Sequence, residues 1–182
     1  MLQLLHANLA NTLFVLLLIS RLGDIGTTYW VTPNLSLEAN PIARKLGWKF
    51  AFLTLLVCLV PYLSPQLGLT FLMMSLLVSA SNAAKMWTVR TMGEQAFQRL
   101  MLDLARRSRL SSALLGIGVS CFFIVLAGGV ILFFYPRPAV DWGYWIGLGV
   151  IADGVAVGMW GSLSAIRLFR NAAHPRLAGA GK

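Results

Sequence analysis

RLGDIGTTYWVTPNLSLEANPIARK, residues 21–45, decides how this chain folds. It follows a strongly apolar opening and places Arg21, Asp24, Thr27, Thr28, Glu38, Asn40 and Pro41 at that run's far boundary. An opening helix that stops at Ser20 leaves these groups in a loop. One that runs on to about Val31 carries Arg21 and Asp24 into the apolar layer. Charges there are costly, roughly 2.5–3.5 kcal/mol each on insertion scales, and need a partner, a cation or a cavity.

The composition identifies that layer as a bilayer. Of 182 residues, 58% are hydrophobic and 12% charged, with a mean hydropathy of +0.74. A soluble domain carries about 45–50% apolar and about 25% charged residues, so the chain reads as an integral membrane protein. The net charge of +9 does not point to nucleic acid, because the basic residues lie between apolar runs and form no binding motif. Cys58 and Cys121 fall within apolar runs, with no His or second Cys at metal-site spacing, and read as small hydrophobes. His6 and His174 lie near opposite ends, which argues against a His-based catalytic or haem site. Residues 1–20 lack a basic leader region and an A-x-A cleavage site, and read as a retained first span.

Apolar stretches at 4–20, 49–63, 67–87, 112–135 and 142–166 predict an all-α bundle of about five transmembrane helices; a crossing takes about 17–25 residues. The second is short and either borrows residues 42–48 or tilts little. Pro61 and Pro65 separate the second and third; Pro136, Pro138 and Asp141 separate the fourth and fifth. Arg137 alone of the fifteen basic residues lies in an even-numbered connection; the others lie in connections one and three and in the tail. The positive-inside rule then places the N-terminus outside and the C-terminus in the cytoplasm, as in a bacterial inner membrane. The expected organisation is one membrane domain: a three-span unit (1–90), an amphipathic connector (88–110), a two-span unit (111–168) and a basic tail (169–182).

Four groupings carry candidate chemistry. In the first, Asp24, Thr27 and Thr28 share one helical face. Asn40–Pro41 has the form of a helix start, with Asn as N-cap and Pro at N1, and Glu38 precedes it. Such oxygen-rich ligands suit a hard cation, Na⁺, Mg²⁺ or Ca²⁺. Equally, Arg21 could neutralise Asp24 while the threonines satisfy backbone groups and Glu38 caps a helix. In the second, Asn82 and Lys85 reach the same membrane face as Asp24; Asn82 either joins that cluster or makes a plain interhelical hydrogen bond.

In the third, Asp153 lies deep in the last span, as a proton or ion relay or as a neutral acid bonded across a tight helix pair. Gly154, Gly158 and Ser162 beside it form a small-xxx-small row suited to a partner subunit or a second copy. In the fourth, Val89, Met92, Ala96, Phe97, Leu100, Met101 and Leu104 recur at helical spacing opposite Arg90, Glu94, Gln98 and Arg106. This predicts an amphipathic helix on a cytoplasmic leaflet rich in anionic lipid, or an extension of the third span. No phosphate-binding loop, HExxH, GxSxG or paired-Cys motif is present.

With Asp24, Thr27, Thr28, Glu38-Ala39-Asn40-Pro41, Lys49 and Asn82 in place, residues 10–90 resemble a family of small uncharacterised prokaryotic multi-pass membrane proteins. That family has an Asp followed by Thr in its first span, Glu-x-Asn-Pro before its second, a Lys opening the second and an Asn late in the third. The resemblance implies that Asp24, Thr27 and Thr28 are membrane-embedded. Asp153 and the last two spans lie outside it. The leading expectation is a transporter-like protein in which Asp24, Thr27, Thr28, Glu38 and Asn40, with Asn82 and Asp153, bind a cation or polar substrate. The alternatives are an accessory subunit of a membrane complex and a metal-dependent membrane enzyme using Asp24 and Glu38.

Overall fold

The computed structural model describes residues 2–35 and 40–173, most of them helical. In chain order the elements are α1 (Leu2–Val31), α2 (Pro41–Leu46), α3 (Trp48–Leu53), a 3₁₀ segment (Thr54–Leu59), α4 (Val60–Leu63), α5 (Pro65–Met92), α6 (Glu94–Arg107), α7 (Leu110–Phe134) and α8 (Trp142–Ala173). Four helices are long and apolar enough to cross a membrane: Asn8–Val31, Pro65–Met92, Leu110–Phe134 and Trp142–Ala173. The fold is an all-α multi-pass membrane bundle.

α1 takes the later of the two boundaries, continuing unbroken past Arg21 and Asp24 to Val31. One turn apart on the same helix, these two side chains pair with each other, Nη1 to Oδ2 at 3.2 Å. The helix therefore need not end where its charges begin.

The second apolar stretch, Trp48–Leu63, is shorter than the other four. Pro61 offers no N–H to the turn above it, and the preceding residues tighten into the 3₁₀ segment, where each residue rises about 2.0 Å instead of 1.5 Å. The stretch runs antiparallel to α1 for most of that helix's length. At one end the Trp48 indole donates to the Pro33 carbonyl (3.1 Å); at the other the Tyr62 hydroxyl donates to Asn11 Oδ1 (2.9 Å). Cys58 on its inner face is buried with Leu13, Leu17 and Leu72, the small-hydrophobe role read for it. Ser64 then caps α5, accepting from the Leu67 amide.

α5 is the central rod. One side packs on α1 and the other on α8, while α7 packs on α8. α1, α5 and α8 run in one direction. α5 extends to Met92, so the first residues of the expected amphipathic connector belong to it. Gly93 breaks the helix with φ of 80°, a backbone state that favours glycine, and α6 sets off from there. α6 packs on α8 and on α5.

Glycines set the closest helix approaches. A Cβ on Gly128 of α7 would lie 2.8 Å from the Gly147 carbonyl oxygen of α8, and one on Gly147 would lie 2.9 Å from the Gly128 oxygen. Gly154 and Gly158, read from the sequence as a surface for a partner, face Ile124, Val125 and Cys121 of the chain's own α7. The rest of α7 points outward: Leu115, Phe122, Phe123, Phe133 and Phe134 are all exposed. In water such a surface would be an aggregation liability; in a bilayer it meets lipid.

Candidate functional site

The polar residues of α1 and α5 meet at the seam between these helices. Asn82 of α5 donates from Nδ2 to Asp24 Oδ1 at 3.2 Å and to Thr28 Oγ1 at 3.0 Å. Both protons of its amide are thereby used. Arg21 closes the other side of the Asp24 carboxylate. One turn nearer the middle of the bundle, the Ser79 hydroxyl donates to the Ser20 carbonyl at 3.3 Å. The paired side chains of Arg21 and Asp24 are only 16% and 17% exposed. The cluster lies about 10 Å along α1 from Val31, at 1.5 Å per residue.

Among the described residues, three polar atoms along this seam are buried without a hydrogen-bond partner: Arg21 Nε, Ser20 Oγ and Ser75 Oγ. Buried polar groups are satisfied in the great majority of cases, so three along one seam call for an explanation. Together the seam offers a guanidinium, a carboxylate, an amide and several hydroxyls, with the opposite charges balanced.

Not every residue singled out by the sequence reaches the cluster. Thr27 turns its hydroxyl back along α1, donating to the carbonyls of Gly23 (2.8 Å) and Asp24 (3.1 Å). Asn40 is the N-cap of α2, its side chain accepting from Ile42 N (2.9 Å) and Ala43 N (3.5 Å), with Pro41 at the first helical position. Glu38 and the tail from residue 174 lie outside the described residues. Lys85 is exposed. Asp153 belongs to a different place, the α8 side of α5. There Thr70 donates to the Trp145 carbonyl across the seam at 3.0 Å, while Asn82 turns to α1. No group of three or more His, Cys, Asp or Glu side chains able to hold a metal occurs among the described residues.

One residue read from the sequence only as a charge on the polar face of the connector has specific partners. Glu94, at the first turn of α6, accepts from the Thr32 hydroxyl, from the Asn34 amide N–H (3.4 Å) and from Asn34 Nδ2 (3.0 Å). Arg90 stacks over Trp30, 4.4 Å from the ring centroid. These contacts tie the end of α1 to the α5–α6 corner and border an open cleft of about 470 Å³ lined by Asn34, Glu94, Gln95 and Arg99. The only sequence signal was an acidic residue directly after a helix-breaking glycine. Glu94→Gln is expected to weaken this tie by about 1–2 kcal/mol and to speed hydrogen exchange of the Asn34 amide. Unchanged exchange would show that the corner is held by other contacts.

Comparison with family models, with curated proteins and with solved structures gives no match.

Proposed function

We propose that this protein is a transporter-like, five-span inner-membrane protein whose α1–α5 seam binds a small polar solute or a cation near the cytoplasmic face. The observation that carries the reading is the Arg21–Asp24–Asn82–Thr28 network inside a membrane-spanning helix, with Arg21 Nε, Ser20 Oγ and Ser75 Oγ buried along the same seam and, among the described residues, unpartnered. Trp48–Leu63 serves as the remaining crossing, antiparallel to α1. The basic residues of connections one and three and of the tail mark the cytoplasmic side, where α6 rests against anionic lipid with Arg99, Arg106 and Arg107. The charge balance within the seam favours a ligand bearing both a donor and an acceptor. A hard cation, Na⁺, Mg²⁺ or Ca²⁺, would draw on Glu38 in addition to Asp24. The resemblance of residues 10–90 to the small prokaryotic membrane family agrees with the placing of Asp24 and Asn82.

The test is thermal unfolding of the purified protein against Na⁺, Mg²⁺, Ca²⁺ and a panel of amino acids and other small zwitterions. A true ligand at one hundred times its Kd adds about 2.7 kcal/mol. That gain is expected to vanish in Asp24→Asn, and in Glu38→Gln if the ligand is a cation. If no compound shifts the wild type, or the variants respond like it, the binding seam is wrong.

A second reading, an accessory subunit, is favoured by one face of α7. Ser112, Gly116 and Ser120 form an exposed small-residue row there, and nothing lies within 4 Å of a Cβ placed on Gly116. Native mass spectrometry of gently extracted protein separates the two. A stoichiometric second polypeptide supports the subunit reading, and a chain that runs alone supports the transporter.

A further inference from the structure

We infer that Asp153 of α8 is a site of reversible proton binding inside the membrane, separate from the α1–α5 seam. Asp153 is only 5% exposed. Among the described residues it has neither a hydrogen-bond partner nor an ion pair, although it lies well inside a helix apolar enough to span a membrane. No described donor reaches the Asp153 oxygens, and lipid supplies none, so helix packing does not fix the carboxyl in its ionised form.

The surroundings favour a proton over a metal ion. Hard cations gather several oxygen ligands, and no cluster of acidic, His or Cys side chains accompanies Asp153 among the described residues. On α8 itself the nearest ionisable groups are Tyr144 near its start and Arg167 and Arg170 towards its far end, while Asp141, held by Arg137, precedes the helix. α5 carries no ionisable side chain from 65 to 84; Lys85 and Arg90 lie beyond. α7 contributes only Cys121, which sits opposite Gly158. Glu94, Arg99, Asp103, Arg106 and Arg107 belong to α6, which packs on α8 and on α5. Apart from Asp153 itself, residues 65–84, 110–134 and 142–166 of the three packed helices carry no Asp, Glu, Lys or Arg.

The residues flanking Asp153 are packed closely on both neighbouring helices. One turn before Asp153, Gly149 lies against α5, where a Cβ would be 2.7 Å from the Thr70 carbonyl oxygen and 2.9 Å from Met73 Cβ. Beside it, Gly154 is closed against Ile124 and Val125.

Dicyclohexylcarbodiimide, an apolar reagent that adds to protonated carboxyl groups, tests this on the full chain in its own membrane. Labelling at Asp153, read by peptide mass spectrometry across a pH series, is expected to be strongest at the acid end and to fall towards the alkaline end as the carboxyl loses its proton. Asp153→Asn should remove that label. Three results would overturn the inference. One is no label at any pH in a preparation that labels once denatured. The second is labelling that stays flat across the range, which would mark a permanently neutral structural acid. The third is protection by Na⁺ at fixed pH, which would mark a cation site. None of these outcomes depends on whether the α1–α5 seam binds a ligand.

Discussion

Gly149→Leu is expected to pry α8 from α5 and to lower stability by about 3 kcal/mol, the upper part of the usual range for overpacking. The new side chain would begin 2.7 Å from the Thr70 carbonyl oxygen and 3.3 Å from Thr70 Cα, backbone atoms that cannot swing aside. It would also strain the Thr70–Trp145 hydrogen bond. Gly128→Leu should cost a similar amount at the α7–α8 crossing, where the obstacles are the Gly147 oxygen at 2.8 Å and the Ile151 nitrogen at 3.0 Å. Gly116→Leu and Gly129→Leu are the controls, since nothing stands within 4 Å of either. Thermal unfolding of the four variants in one detergent decides it. Equal midpoints for all four would mean that the glycine contacts do not hold the helices together.

The second large effect belongs to the ion pair in α1. Asp24→Leu removes the partner of a largely buried Arg21 and strands one proton of the Asn82 amide. Breaking such a pair from one side costs about 3 kcal/mol, because the remaining charge stays desolvated and alone. Removing both charges, as Arg21→Met with Asp24→Leu, is expected to restore most of that loss. A double variant no more stable than Asp24→Leu alone would show that Arg21 reaches water by itself and that the pair contributes little.

Much of the architecture was legible in the residue pattern, for reasons that also explain where it was not. The three central and C-terminal spans are long, largely apolar runs, and α5, α7 and α8 occupy them. The first span is harder to read, because hydropathy counts Arg21 and Asp24 as two charges while the helix joins them as one neutral pair. Asp24, Thr27 and Thr28 share a helical face, but only the register of α5 determines that Asn82 reaches Thr28 and leaves Thr27 to bond its own backbone. Gly154 and Gly158 announce a close helix neighbour without saying whose; that neighbour is α7. Glu94 looked like one more charge on a polar face. Its role depends on Thr32 and Asn34, far away in sequence, which no local periodicity connects to it.

The position of Arg21 and Asp24 on a single helix bears on how the protein is made. A membrane helix whose buried charge is answered only by a later span must enter lipid before its counter-charge has been synthesised. Here the answering carboxylate is one turn away on the same segment. The pair can form as soon as this stretch of the nascent chain coils, before α5 leaves the ribosome, so the first span meets the lipid already neutral along that turn.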